Sequence, residues 1–481
     1  MKRLFVKNLL LLQVLNLIIK PIWLLLIDRT VQNLLGEQYG QYYIVLNLAL
    51  IFNIVLDLGI QNFNNTHVAS DPQFFKSNFK GILSLKAVLS SFYIITVLLV
   101  GLFSGLSFNW LFLMVLNQVL LTFVLYLRSN INGLHHYITD ALLSVSDKAF
   151  GIILCLLAYA FELITIETFI VVQLIATALT LSIAFYLNIK YHKSIVALTP
   201  IKSIAFKSLW PLLKLSLPFA LLFTLMNMYT RLDVAIMNWL LPNANYHSSL
   251  YAQSFRLLDA AAMFAMLFAG LLLPMFSKMI QEQVDVRPLA NLASSILMLI
   301  AVSIGLAAYL YAYRIIDLLY DFKSIDQAIQ SSEVFKNILV SFVPMSLTFV
   351  FSTLLTAKKD LFHLNVYAFI ALALNLVLNY ILIPKWQSLG ASLATVCTQS
   401  VFAILCYARC KQLFGFEFNV QQLLKFAILI IVLIGVFVLI KGIHSTLLSL
   451  GLFGLLAVSL GFMLKIIDPK GVYYFFKPNP Q

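Results

Sequence analysis

Apolar residues run along this chain in blocks of about twenty, separated by short polar clusters, and the alternation persists almost from end to end. A helix of roughly 20 residues crosses a hydrocarbon core about 30 Å thick, where backbone polar groups find partners only inside the segment itself. The breaks predict spans at 8–27, 41–63, 82–103, 108–127, 142–160, 168–187, 210–229, 250–276, 289–311, 335–356, 363–383, 388–408, 422–440 and 446–464, fourteen in all. A β-barrel is excluded, because its strands would be about 10 residues of alternating polarity. The expected fold class is an all-α polytopic membrane protein.

Composition agrees with the pattern. The chain has 481 residues, is 62% hydrophobic and 11% charged, and has a mean hydropathy of +0.95, against roughly 45–50% apolar residues in a soluble globular protein. The first block follows Lys2, Arg3 and Lys7 as a signal peptide would, but no small-residue cleavage site comes after it, so it reads as the first helix with a cytoplasmic N-terminus.

Charge then tests the topology. Under this assignment 21 of the 32 lysines and arginines fall in inside segments and 7 in outside segments, with Lys20, Lys86, Arg256 and Lys425 within spans. A threefold excess is the positive-inside rule, and both termini are expected in the cytoplasm. The formal charge of +13 is accounted for by topology and attraction to anionic membrane lipids, with no call for nucleic acid.

The longest cytoplasmic connection, 190–214, carries the basic amphipathic stretch "TPIKSIAFKSLW". It divides the chain into a six-helix lobe over 1–189, a linker over 190–209, a second six-helix lobe over 210–410, and two additional helices with a tail over 411–481. Six spans on either side start each lobe on the same face, as a parallel repeat requires. A faint echo between "GEQYGQYYIVLNLALIFNIVLDLG" and "NYHSSLYAQSFRLLDAAAMFAMLFAG" fits that arrangement.

Reaction chemistry is missing. Cys155, Cys397, Cys406 and Cys410 lie in or at the ends of spans, with no pair in an outer loop and no histidine completing a zinc set. There is no Walker A loop, and the longest outer connection is 312–334, little room for sugar chemistry. The chain reads as a transporter and not an enzyme, with neither metal nor cofactor expected beyond a coupling ion.

The ionisable residues within the apolar blocks carry the remaining information, because a charge at mid-span costs about 2.5–3.5 kcal/mol on insertion scales. In "LNLIIKPIWLLLI" Lys20 lies about 10 Å from the predicted outer end of its helix, and Pro21 breaks the backbone hydrogen-bond ladder beside it. Lys20 reads as facing a wet cavity, with snorkelling or pairing to a carboxylate as the alternative. Arg256 is the second buried cation; Asp259, three residues on, makes a structural ion pair the competing reading. Lys86, near the inner end of its span, reads as snorkelling. Asp57, Asp233 and Asp259 are candidates for ion coupling or gating through Na+ or a proton, although Asp57 and Asp233 lie near predicted helix ends where solvation would also serve.

Several motifs also carry a resemblance. "LGEQYGQYY" followed by "VLDLG", "YTRLDVAIMNWLL", "LYAQSFRLLDA" and "NLVLNYILIPKWQSLGASLATVCTQS" together resemble the Wzx-type polysaccharide flippases of the multidrug/oligosaccharidyl-lipid/polysaccharide exporter superfamily. The last motif holds Asn375, Asn379, Pro384, Gly390, Ala391, Ala394 and Thr395, which read physically as a helix-packing set of bonding amides and small residues. Gln387 stands where the family often has a glycine, so a different bend is expected there.

The resemblance implies two six-helix lobes around a central cavity, plus two helices. It also implies a substrate: oligosaccharide units on undecaprenyl diphosphate, moved from the inner to the outer leaflet of the bacterial cytoplasmic membrane for O-antigen, capsule or exopolysaccharide assembly. A polysaccharide polymerase and chain-length machinery would be partners. Lys20 and Arg256, a point charge and a planar fork, would then meet the diphosphate. A cation-coupled multidrug exporter of the same superfamily is the alternative, and a membrane glycan polymerase or acyltransferase a further one.

Overall fold

The computed structural model describes residues 14–61, 64, 72–134, 136–191, 206–417 and 419–467. These residues form helices joined by short turns, with no strand among them. The elements are α1 (14–35), α2 (Gln38–Ile51), α3 (Pro72–Phe103), α4 (Phe108–Gly133), α5 (Tyr137–Ala160), α6 (Ile166–Tyr191), α7 (Phe206–Leu240), α8 (Ala244–Gln281), α9 (Arg287–Leu310), α10 (Ala312–Leu319), α11 (Ile325–Val340), α12 (Phe342–Ala357), α13 (Leu361–Phe414), α14 (Val420–Ile440) and α15 (Thr446–Met463). Among the described residues each predicted span lies on helix over most of its length, the span 41–63 excepted. Eleven stretches are long and apolar enough to cross a membrane; one of them, Leu361–Phe414, holds two predicted spans on either side of Gln387, where φ is 48°.

Two spans depart from expectation. The first does not end at residue 27: past Pro21 the helix widens into a π-helical turn at Trp23–Asp28 and continues as α-helix to Leu35, where Gly36 at φ 54° closes it. Proline removes one ladder hydrogen bond, and widening the turn lets the helix go on instead of stopping. The second span, expected to run unbroken over 41–63, stops at Ile51. A 3-10 turn follows at Asn53–Leu56, then Leu58 and Gly59 adopt φ of 44° and 83°.

The chain divides into two compact units, Met1–Ser249 and Leu250–Gln481, with the division inside α8. In the first, α4 packs on α6, α5 on α6, α3 on α4 and α7 on α2. Close approach of α2 to the start of α8 depends on Gly40, where a Cβ would overlap the Asn245 carbonyl. A core of Ile82, Leu85, Tyr126, Leu127, Ile131 and Leu143 joins α3, α4 and α5. In the second unit α12 packs on α13 and on α9. There α14 and α15 are fastened to α9 through Leu299, Val302, Leu429, Leu433, Phe453 and Ala457. Large apolar side chains such as Phe92, Ile95, Leu99, Ile431 and Leu439 remain exposed on helix faces, as a hydrocarbon solvent permits. Of the predicted linker over 190–209, residues 192–205 lie outside the described residues, while 190–191 end α6 and 206–209 begin α7.

Candidate functional site

In the first unit the site grows from the broken helix α1. Lys20 is half-buried just before the π turn, fifteen residues from the C-terminal end of α1 at Leu35, too far for its side chain to snorkel to that end. Asn16 Nδ2, one turn before it, donates to Ser144 Oγ of α5 at 2.8 Å, and among the described residues the charges near enough to act on Lys20 are Asp147, Arg128 and Lys148. Lys148 lies inside the predicted span 142–160, eleven residues into α5, which begins at Tyr137. Its ammonium is 3.2 Å from Asp147 Oδ2 and lies over the Trp23 ring at 5.1 Å from the centroid. Trp23 stacks in turn on Phe169 at 5.8 Å. Arg128 is already matched: its Nε donates to Asp140 Oδ1 at 2.8 Å, and Asn132 donates to the other oxygen at 3.0 Å. The neighbourhood of Lys20 therefore holds three cations from α1, α4 and α5 with two carboxylates, one of them engaged by Arg128.

Asp28 ends the π turn and is fully buried, accepting from the Tyr39 hydroxyl at 2.8 and 2.9 Å and from Gln32 Nε2 at 3.0 Å. Sequence reading passed over Asp28, which borders an apolar block and looks like the start of a loop, and over the adjacent Asp147 and Lys148 inside the span 142–160. The signal that could have found the last two is that the apolar face of α5 extends toward Tyr137, past both charges.

Lys86 does not snorkel. It is 0% exposed, and its ammonium donates to Leu56 O at 3.0 Å, Asp57 Oδ1 at 2.9 Å and Thr122 Oγ1 at 3.0 Å. The break after α2 provides those oxygens, since Ile60 N–H turns to Asp57 O and leaves Leu56 O to the lysine. Asp57 also accepts from Gln61 N–H at 3.2 Å. Asp233 is likewise fully buried and not interfacial, because α7 runs seven residues beyond it to Leu240.

In the second unit Arg256 lies twelve residues into α8 and is largely buried, with its Nη1 3.7 Å from Asp259 Oδ2. The i, i+3 pair anticipated from sequence is thus formed. Lys20 and Arg256 belong to different units, each with its own neighbours. Within α13, Asn379 Nδ2 donates to Asn375 Oδ1 at 3.0 Å, so these amides bond to each other along one helix face. Thr395 Oγ1 is 3.0 Å from the Tyr251 hydroxyl and donates to Ala391 O at 3.1 Å. A Cβ at Gly390 would overlap the Leu382 carbonyl, so glycine permits the turn-back that follows Pro384.

This architecture has solved counterparts. The lipid II flippase MurJ in an inward closed conformation matches with a TM-score of 0.68 at 14% identity, covering 98% of this chain and 99% of that one. A multidrug resistance MATE family transporter of the MOP superfamily, inward-facing, matches at 0.59 and 12% identity, covering 84% and 94%. A MOP superfamily transporter from Pyrococcus furiosus, described with a binding pocket of reversed polarity, matches at 0.61 and 14% identity, covering 85% and 96%. The chain is therefore a multi-pass membrane protein with the fold of the MOP-superfamily transporters and flippases. No family model matches the sequence. No curated protein matches it by sequence.

Proposed function

We propose that this chain is a flippase that moves a polyprenyl-diphosphate-linked oligosaccharide across the bacterial cytoplasmic membrane by alternating access, with both termini in the cytoplasm. The observation that carries the reading is the cluster of Lys20, Arg128 and Lys148 within the helices of the first unit. Intramembrane cations are expensive and persist where an anion is handled. Likeness over the whole length to a lipid II flippase supports the same class, whereas the MATE likenesses leave about a sixth of this chain uncovered. The two six-helix lobes, linker and two added helices anticipated from sequence are the organisation on which this reading rests. O-antigen, capsule or exopolysaccharide units are the proposed cargo, delivered to a polymerase outside.

In this reading Lys20 meets the diphosphate and Arg256 adds a second, planar donor set, released from Asp259 when substrate arrives. Of the carboxylates Asp57, Asp233 and Asp259, Asp57 is held by the Lys86 ammonium, so Asp233 and Asp259 are those through which Na+ or a proton would bias one access state. The test uses the purified protein in vesicles with a fluorescent undecaprenyl-diphosphate oligosaccharide. Lys20→Ala is expected to insert and fold but to lose transport, and Lys20→Arg to retain more of it. If Arg256 serves the substrate, Arg256→Ala with Asp259→Ala folds and stays inactive; recovery of transport in that double variant makes the pair structural. Normal transport by Lys20→Ala at matched protein overturns the reading.

A further inference from the structure

The surroundings of Lys86 are those of a bound metal cation. One backbone carbonyl freed by a broken helix, one carboxylate and one hydroxyl converge on a single point at 2.9–3.0 Å, from Leu56, Asp57 and Thr122. Thr122 Oγ1 also lies 3.3 Å from Leu56 O, so the oxygens cluster around the ammonium and not along a helix. Hard monovalent cations in membrane proteins are held by such unwound carbonyls with a nearby carboxylate. The occupant here is covalently attached to the chain.

We propose that the Lys86 ammonium is a resident cation: it fills a monovalent-cation site built by the break after α2, in place of an exchangeable coupling ion. Three observations support this. Every oxygen aimed at the point is an acceptor, and the ammonium has three protons to give, so donors and acceptors match one to one. Among the described residues Asp57 balances the charge, forming an ion pair with the fully buried lysine at 2.9 Å. The Asp57 side chain is 27% exposed, so the site borders solvent and a small ion could enter once the lysine were removed. Of the three carboxylates considered for ion coupling, Asp57 is thereby already satisfied, and any ion dependence of transport falls to Asp233 or Asp259. Oxygens spaced for an ammonium suit an ion of that size, ammonium or potassium, better than a smaller one.

Lys86→Ala vacates the point while leaving Leu56 O, Asp57 and Thr122 in place. Purified in lipid nanodiscs, this variant is expected to show an unfolding midpoint that rises saturably with potassium or ammonium chloride. It should not respond to choline chloride at the same ionic strength, because a ligand that binds only the folded state stabilises it by mass action. The wild type is expected to give one midpoint in all three salts. Adding Asp57→Ala should abolish the response. Because potassium is abundant in the cytoplasm, Lys86→Ala is also expected to reach the membrane folded. Failure to fold in potassium, equal midpoints in potassium and choline, a wild-type response as large as the variant's, or a response surviving the loss of Asp57 would each overturn the proposal.

Discussion

The Lys148 ammonium on α5 lies 5.1 Å from the centroid of the Trp23 ring on α1, at the π turn that follows Pro21. Gly151, one turn further along α5, makes room for that indole, since a Cβ there would come 2.8 Å from Trp23 Cζ3. Lys148→Met keeps the stem and removes the charge. It should lower stability by only about 0.5–1 kcal/mol, the usual worth of a cation–π contact, while transport of the anionic substrate falls much further. Gly151→Val, which displaces the ring, should reduce both. Unfolding midpoints and vesicle transport on the same preparations separate the two effects. Equal losses in both assays for Lys148→Met would reduce the lysine to a packing role.

Gln387 has φ 48° and ψ −127°, a backbone conformation that glycine adopts and L side chains rarely do. Glutamine holds this bend at a conformational cost that glycine would not bear. Gln387→Gly should therefore stabilise the protein by about 1 kcal/mol, the typical strain of such a residue. A higher unfolding midpoint with unchanged transport is the expected outcome; a lower midpoint would mean that the glutamine side chain contributes a compensating contact.

Asp360, in the turn before α13, gives a pH dependence whose sign follows from its partners. Burial pushes its carboxyl up, but the hydrogen bonds it accepts from His363 Nδ1 at 2.6 Å and Arg409 Nε at 2.7 Å outweigh this and hold it below the usual carboxylate range. A folded-state value below the unfolded one means that the contribution is fully present above the ordinary aspartate value of about 4 and is lost as pH falls through the folded value. Asp360→Asn should be less stable than wild type at neutral pH by about 1–2 kcal/mol, in the range of a charge-assisted hydrogen bond, and the gap should close in acid. Midpoints measured from neutral pH downward check this, and a gap that widened in acid would contradict the sign.

Sidedness remains to be measured directly. Cysteines at Asn243 and Ser324, both exposed, in a background lacking Cys155, Cys397, Cys406 and Cys410, should react with an impermeant maleimide in intact cells. A cysteine at Lys359 should react only after the membrane is opened. The reverse pattern would invert the topology derived from the lysines and arginines.

The sequence by itself determined that the chain is an all-α polytopic membrane protein and where most of its long apolar helices fall. Those properties follow from runs of apolar residues, and every crossing must satisfy its own backbone whatever surrounds it. It also singled out Lys20 beside Pro21 and the pair Arg256 and Asp259, because proline acts on its own turn and an i, i+3 pair meets on its own helix. Partners distant along the chain were decided only by tertiary structure. Lys86 looked like a snorkelling residue until the break at Asn53–Leu56 and Thr122 of α4 were brought to it. Lys148 had only its neighbour Asp147 as a partner along the chain until packing placed Trp23 of α1 under its ammonium. A buried charge is tolerated only with partners, and which partners it meets depends on how helices pack side by side, which hydropathy along one strand of sequence does not encode.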